Sequence, residues 1–222
     1  EGWALFCDAG LNEIRALDPL GGAVMTVCSA IGKTPLSKPN DLAYDRSGNL
    51  VFTCPGDSRR TPEGYIVALS SDGVGRVLAR DLYFPNGLCF DPAGRALYIA
   101  ETYKQRIWRG DWDAETGSWL SPRLFCQLWG PIGPDGMAVD ANGVLYVALF
   151  DQGVVVEVDP SGTVRDTYEV PGRRPTNVAF DPSGELGLVV TEAAEGQIFS
   201  LDRAIPGAAL FKGPVPRIGG AT

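Results

Sequence analysis

A short unit that recurs four times along the chain is the feature that most constrains its fold. The copy in residues 133–148 (GPDGMAVDANGVLYVA) has a Pro, a polar residue, an apolar run, an Asp, a turn that contains Gly, and a second apolar run. Successive copies of the Asp lie 46, 49 and 41 positions apart. A period in the forties made of short strands and turns is typical of the blades of an all-β fold, the β-propeller. In every copy the Asp follows the Pro by six positions, which pairs Pro39 with Asp45, Pro85 with Asp91, Pro134 with Asp140, and Pro175 with Asp181.

The strands outside this unit allow the blades to be counted. Residues 1–30 predict three strands, at 3–8, 13–18 and 23–27, without the inner-strand unit that should precede them. A strand similar to 13–18 recurs in each full copy, and most of these strands alternate apolar and polar side chains. The sequence therefore predicts a single β-propeller domain over residues 1–222 that is incomplete at its N-terminus. We expect about four and a half blades, no helix of ordinary length, and an outer strand around 208–210.

The absence of histidine narrows the chemistry that the chain can perform. None of the 222 residues is His, which excludes Ser-His-Asp and Cys-His catalysis and zinc held by imidazole. Reactions must then rely on carboxylates, amides, hydroxyls, Lys, Tyr, or a metal held by oxygen. The net charge of −8 argues against nucleic acid or an anionic membrane surface as a partner.

The five cysteines indicate the compartment. Cys7, Cys54 and Cys89 lie in or beside apolar runs, and the number of cysteines is odd. We interpret them as buried free thiols in a reducing compartment, which predicts a cytoplasmic protein. Export to the periplasm or the outside, with one or two disulfides, is the alternative.

The residue after each Pro of the repeated unit is the candidate for chemistry. Innermost strands of a propeller line its central channel, so equivalent positions of successive blades converge on one axis. Amide and carboxylate oxygens there would suit a hard divalent cation, Ca²⁺ first, with Mg²⁺, Mn²⁺ or Zn²⁺ as alternatives. Under a second interpretation, Pro-Asn-Gly and Pro-Asp-Gly are turn sequences selected by the backbone alone. These four positions hold Asn40, Asn86, Asp135 and Thr176.

The Asp that ends each unit has a structural explanation. Its side chain is expected to accept backbone N–H groups at a hairpin turn, while the Gly that follows takes a positive φ. We therefore assign no chemistry to this series, which comprises Asp45, Asp91, Asp140 and Asp181.

Three of the repeated motifs resemble those of a known family. The chain is similar to the regucalcin–gluconolactonase family, which includes senescence marker proteins, sugar lactonases and luciferin-regenerating enzymes. Two further segments, 112–117 and 176–191, also resemble that family, so the similarity runs through nearly the whole chain in the right order. The inner-strand motifs that carry it are Pro39-Asn40-Asp41, Pro85-Asn86-Gly87-Leu88 and Pro134-Asp135-Gly136-Met137.

The resemblance implies a six-bladed propeller with one divalent metal near its axis. It implies that Asn86 and Asp135 are metal ligands, and that Asp135 is also the candidate general base. Asn40 is implied at the same site, as a further ligand or as a substrate or water-mediated contact, and Lys38 falls where some members have an Arg that contacts substrate. The Glu that members carry in their first blade has no assigned counterpart here. The chain is then a fragment, lacks that blade, or is completed by a partner chain.

Three functions are compatible with these residues. The first is a metal-dependent lactonase that opens a sugar lactone such as gluconolactone to the hydroxy acid, with the small-molecule lactone as its partner. The second is a phosphotriesterase or a strictosidine-synthase-like enzyme on the same propeller. The third is a propeller that binds calcium or another ligand without turnover, because a fold alone does not establish an activity.

Overall fold

β-Strands make up nearly all of the regular structure of the chain. The computed structural model describes residues 2–202 and 205–216. Within these ranges the single helical element is a 3₁₀ turn, Thr102–Lys104, and the rest of the regular structure is strand. The expectation of an all-β chain without a helix of ordinary length is confirmed for the described residues.

In the described residues, five sheets of three or four strands follow one another, and each is a meander in which sequential strands are hydrogen-bonded neighbours. The first sheet contains β1 (Ala4–Asp8), β2 (Glu13–Leu17) and β3 (Val24–Cys28). A small hairpin follows, formed by β4 (Ala30–Ile31) and β5 (Thr34–Pro35). The second sheet contains β6 (Leu42–Tyr44), β7 (Leu50–Cys54), β8 (Gly64–Leu69) and β9 (Gly75–Leu82).

The remaining three sheets hold eleven strands. The third contains β10 (Pro85–Phe90), β11 (Ala96–Glu101), β12 (Arg106–Asp113) and β13 (Ser118–Gln127). The fourth contains β14 (Gly133–Val139), β15 (Leu145–Phe150), β16 (Val154–Val158) and β17 (Val164–Glu169). The fifth contains β18 (Pro175–Phe180), β19 (Leu188–Glu192) and β20 (Gln197–Leu201).

This organisation confirms the β-propeller that the repeat predicts. Each copy of the unit supplies the first two strands of one sheet, and residues 4–28 form the three strands expected of an incomplete blade. Three sheets have four strands and two have three. The expected outer strand around 208–210 is wrong. Gly207 instead makes one antiparallel bridge to Asp140, next to Pro206, which lacks the N–H that a longer ladder would need.

The chain divides into two compact units. Within the described residues, the first unit comprises 2–85, 113–118 and 211–216, and the second comprises 86–112, 119–202 and 205–210. The first unit packs around a core that includes Ile14, Leu50 and Phe52. In the second unit, one cluster of apolar side chains includes Ile107 and Leu149, and in another Tyr146 meets the Phe180 ring edge-on.

The cysteines pack as apolar side chains. All five are free thiols, and Cys28, Cys54 and Cys126 are buried. Burial raises the pKa of Cys54 to about 12 and that of Cys126 to about 11, so both stay protonated at neutral pH. Of the three cysteines on which the sequence-based interpretation rested, Cys54 is buried as expected, whereas Cys7 and Cys89 are half-buried.

The Asp series at the hairpins behaves as turn chemistry predicts. The Asp45 carboxylate is fully buried and accepts the backbone N–H groups of Ser47 and Asn49, both at 2.8 Å, and the Asn49 side-chain amide at 2.7 Å. Gly48 in this turn has φ 83°. Asp140 accepts the backbone N–H groups of residues 142 and 144 in the same way. These carboxylates therefore hold the ends of the inner strands.

The turn role predicts a specific stability cost for Asp45→Ala. The substitution leaves two backbone donors and one amide donor without their buried acceptor, so we expect the free energy of unfolding to fall by about 2–3 kcal/mol. Urea denaturation measures this loss. Asp72→Ala is the matched control, because Asp72 lies in the exposed β8–β9 turn. Equal losses in the two variants would contradict the assignment.

Candidate functional site

Asn86 is held at the start of β10 by a chain of hydrogen bonds. It is the second residue of the strand and its side chain is buried. Its Nδ2 donates to the Oγ1 of Thr102 at 3.1 Å, and that hydroxyl donates to the carbonyl of Pro134 at 2.7 Å. Because Thr102 engages the amide nitrogen, the orientation of the amide group is set. The same hydroxyl joins the start of β10 to the start of β14.

Asp135 is the third residue of β14, next to the Pro134 carbonyl that Thr102 contacts, and it is half-buried. The pairing of β14 with β15 shifts register between Pro134 and Met137, so Asp135 and Gly136 form a bulge. Bulges re-aim side chains and recur beside active sites. A comparable register shift surrounds Thr176 at the start of β18.

The glycine after each of these side chains is required by close backbone approach. A Cβ on Gly87 would lie 2.4 Å from the carbonyl oxygen of Asp135 and 2.8 Å from the Cα of Gly136. A Cβ on Gly136 would lie 2.0 Å from Oδ1 of Asn177 and 2.8 Å from its Cα. The first residues of β10, β14 and β18 therefore converge within the second unit.

The turn interpretation of these motifs is wrong for two copies. Pro85-Asn86-Gly87 and Pro134-Asp135-Gly136 lie inside strands β10 and β14. Their glycines are needed because the strands approach closely, whereas a hairpin turn would have needed them for a positive φ.

Thr176 has its hydroxyl satisfied within the fifth sheet. Its Oγ1 lies 2.8 Å from the Oγ1 of Thr191, and it also donates to the carbonyl of Thr191 at 3.2 Å. Thr176, the residue after Pro in the fourth copy of the unit, is therefore hydrogen-bonded across the β18–β19 pair.

Asn40 and Lys38 lie in the first unit, just before β6. The backbone N–H of Asn40 donates to the carbonyl of Thr53 at 2.9 Å, and its side chain is exposed. Lys38 has φ 46°, and its backbone N–H donates to Oδ1 of Asn12 at 2.8 Å. The Nζ of Lys38 forms an ion pair with Asp57 at 2.5 Å. Both side chains of this pair are exposed, so it can exchange for other partners at little cost.

Two buried residues beside the inner strands were missed by the sequence analysis. The first is Thr102. It was missed because a single hydroxyl after an apolar strand does not by itself indicate a functional residue. Glu101, the last residue of β11, is the other: it is fully buried, and its Oε2 accepts from Nε of Arg106 and Nε1 of Trp108, both at 2.7 Å. The Arg106 guanidinium stacks 4.5 Å from the centre of the Trp108 ring. A carboxylate that ends an entirely apolar strand was the available signal.

Glu192 plays a comparable part at the end of β19. Burial alone would raise the pKa of Glu192, but the backbone N–H groups of Glu195, Ala194 and Arg174 donate to its carboxylate and hold that pKa below its ordinary value. This carboxylate orders the two loops that flank the start of β18.

The donors at the strand starts are of the kind that hard cations take. Carboxylate and amide oxygens are the protein ligands of Ca²⁺, which fills its remaining positions with carbonyls and water. Asp135 and Asn86 offer these two types from adjacent strands. Among the described residues, no group of three or more Asp, Glu, Cys or His side chains could hold a metal. The same ranges contain no helix long and apolar enough to cross a membrane.

Comparison with known proteins establishes the family. A family model described as the SMP-30/gluconolactonase/LRE-like region matches residues 6–194. The chain belongs to this family, as the resemblance of its motifs implied.

Three relatives illustrate the similarity. The chain is 31% identical over 195 residues to pentonolactonase XacC of Haloferax volcanii, covering 79% of this chain and 66% of that protein. It is 31% identical over 189 residues to the L-arabinolactonase of Azospirillum brasilense, covering 83% and 62%. A crystal structure described as a calcium-binding protein, regucalcin, from Agrobacterium tumefaciens superposes with a TM-score of 0.82 and 26% identity, covering 96% of this chain and 76% of that one. The chain thus spans less than two thirds of the length of these two curated relatives.

The lowered pKa of Glu192 predicts a pH-dependent contribution to stability. A carboxylate whose pKa is lowered by folding stabilises the protein above the unfolded pKa of about 4.3, and this contribution is lost as the pH falls through the folded value. We therefore expect Glu192→Gln to be less stable than the native chain at pH 7, with a difference that shrinks below about pH 4.

Urea midpoints at a series of pH values provide the measurement. The control is Glu195→Gln, because Glu195 lies in the same turn and is exposed. A stability difference for Glu192→Gln that stays constant from neutral to acidic pH would contradict the role of its charge.

Proposed function

We propose that this chain forms part of a sugar lactonase that depends on a divalent cation. The observation that carries the proposal is the close approach of the strand starts that hold Asn86 and Asp135, which Thr102 links by bonding to the Asn86 amide and to the Pro134 carbonyl. The relatives named as a pentonolactonase and an L-arabinolactonase support lactone hydrolysis as the reaction. The relative described as a calcium-binding protein supports Ca²⁺ as the cation.

Asp135 and Asn86 would hold the cation through their oxygens. When bound, a divalent cation supplies Lewis-acid polarisation of the lactone carbonyl. The hydrogen bond from the Asn86 Nδ2 to Thr102 fixes which end of the amide is the acceptor. The bulge at Asp135 directs its carboxylate.

The ring opening needs one water molecule and one proton relay. Asp135 takes a proton from water as the water oxygen bonds to the carbonyl carbon, and the carbonyl π electrons move to the carbonyl oxygen. Their return breaks the bond between that carbon and the ring oxygen. The proton held at Asp135 then passes to the ring oxygen, and the product is the open hydroxy acid.

Asn40 and Lys38 are proposed as substrate contacts. A sugar lactone presents several hydroxyl groups, which the exposed Asn40 amide is suited to bind as donor and acceptor. Lys38 would exchange its exposed ion pair with Asp57 for a hydrogen bond to substrate. The positive φ of Lys38 fixes the direction from which its side chain leaves the backbone.

The proposal predicts that Asp135→Asn abolishes lactone hydrolysis. Loss of a general base typically costs a factor of 10²–10⁴, so we expect kcat/KM for an aldonolactone to fall at least 100-fold. A pH-indicator assay with L-arabinono-1,4-lactone and D-glucono-1,5-lactone follows the acid released. Asp181→Asn is the matched control, because it makes the same charge change at the hairpin turn that follows β18. Retention of more than a tenth of the activity in Asp135→Asn would contradict the assignment.

Removal of the cation with a chelator distinguishes a metal-dependent lactonase from a propeller that binds metal without turnover. We expect EDTA to remove lactone turnover and Ca²⁺ to restore it, with calorimetric Ca²⁺ binding lost in Asp135→Asn. Calcium binding without turnover of any lactone would favour a non-catalytic calcium-binding propeller. Turnover of a 4-nitrophenyl phosphotriester in preference to lactones would favour the phosphotriesterase alternative. Lactone turnover unaffected by EDTA would remove the cation from the proposal.

Thr102→Val tests the positioning of Asn86. The substitution keeps the side-chain shape but removes the donor to Pro134 and the acceptor for Asn86, and groups that orient metal ligands typically contribute 10–100-fold in affinity or activity. We expect Ca²⁺ affinity and kcat/KM to fall by about tenfold or more, and Thr102→Ser to recover most of both.

The comparison variant is Thr191→Val, which removes a hydroxyl from the fifth sheet. It should lower stability without a comparable loss of Ca²⁺ affinity. Calcium binding unchanged in Thr102→Val, with the fold intact by circular dichroism, would show that the hydroxyl has no role at the site.

A further inference from the structure

A groove at the opposite end of the inner strands has chemistry that lactone hydrolysis does not use. It has a volume of about 590 Å³ and lies wholly within the second unit. Its walls come from the turn between β10 and β11, from β11 to β13, from the turn after β14, and from the turn between β16 and β17. This volume falls in the range of sites for small organic ligands.

Three arginines face this groove in a chain whose net charge is −8. Arg95 and Arg123 are exposed, and neither forms an ion pair with any other residue that the structure describes. Arg109 is half-buried and pairs loosely with Asp111 at 3.3 Å. The Arg95 and Arg123 guanidinium groups are thus available to an anion, Arg109 lies beside them, and the planar donor sets match carboxylate and phosphate oxygens.

Asp91, the acidic residue among those that line the groove, is hydrogen-bonded to the backbone of its own turn. Oδ1 of Asp91 accepts the N–H groups of Arg95 at 2.5 Å and Ala96 at 2.8 Å. Among the residues that line the groove, one carboxylate therefore faces three guanidinium groups, of which Arg109 is already paired with Asp111, and the groove keeps a positive excess.

One wall of the groove is aromatic. The ring of Tyr98 is buried and meets Phe125 edge-on, with ring centres 5.0 Å apart. Arg109 lies 6.0 Å from the centre of the Tyr98 ring. Burial raises the pKa of Tyr98, so its phenol is neutral at physiological pH and adds no negative charge. Leu124 is half-exposed beside this wall and extends the apolar surface.

We propose that this groove binds a small phosphate monoester with an apolar or aromatic group. The phosphate would lie among Arg95, Arg109 and Arg123, and its apolar part would lie against Phe125 and Leu124. A dianionic phosphate matches the excess of guanidinium groups better than a single carboxylate does.

The groove is separate from the candidate hydrolytic site. Asn86 is the second residue of β10, whereas Asp91 follows the last residue of that strand. At about 3.3 Å per residue the two lie roughly 16 Å apart along the strand. The groove therefore does not depend on the cation or on Asp135.

Phenyl phosphate is the probe that tests this site. We expect calorimetric titration of EDTA-treated protein to show saturable binding that weakens with rising salt. Binding should be at least tenfold weaker in the double variant Arg95→Gln, Arg123→Gln. Both side chains are exposed, so the fold should survive, which circular dichroism and the urea midpoint verify.

Three controls make the result specific. Arg46→Gln removes an exposed arginine from the equivalent turn of the second sheet and should bind phenyl phosphate as the native chain does. Asp135→Asn should also bind it normally, which separates the groove from the lactonase proposal. Phenyl β-D-glucoside, which has the ring but no charge, should bind at least tenfold more weakly. No binding of phenyl phosphate to the native chain, equal binding by the arginine double variant, or equal binding of the glucoside would each overturn the proposal.

Discussion

The close approach of backbones at the start of the inner strands is the constraint on which the candidate site depends. Gly87 lies against the Asp135 carbonyl and Gly136 lies against Asn177, at distances that admit no Cβ. Only glycine at these two positions lets β10, β14 and β18 begin so near one another. Asn86 and Asp135 precede these glycines directly, so the backbone contact also places a residue with an amide and a residue with a carboxylate at neighbouring strand starts.

The two ends of each inner strand are fixed by different means. At the C-terminal end of β6 and of β14, the Asp that follows the strand accepts several backbone N–H groups of its own turn. At the N-terminal ends of β10 and β14, the Thr102 hydroxyl links the third sheet to the fourth. Local turn chemistry thus determines the strand register, and a single buried hydroxyl determines the orientation of the site.

The turn chemistry could be predicted from sequence, and the hydroxyl could not. An Asp six residues after a Pro, with a Gly shortly after it, predicts a hairpin turn, and its repetition located the sheets. Thr102 acts through contacts with Asn86 and Pro134, which lie 16 and 32 residues away in sequence and leave no local pattern. Glu101 left one local signal, a carboxylate at the end of an apolar strand. The bulge at Asp135 was also hidden, because a Pro-Asp-Gly sequence is equally common at turns. The predicted strand around 208–210 failed because apolar residues near a terminus indicate burial but not hydrogen-bond pairing.

The two ends of β10 and β14 suit ligands of opposite charge. The N-terminal ends carry oxygen donors suited to a cation, and the groove beside the C-terminal ends contains guanidinium groups suited to an anion. These features are roughly 16 Å apart along β10, about twice the Debye length of about 8 Å at physiological ionic strength. Direct electrostatic interaction between a cation at one end and a phosphate at the other is therefore weak. Any coupling between the two would have to pass through the strands themselves, whose ends are held by the turn carboxylates Asp91 and Asp140.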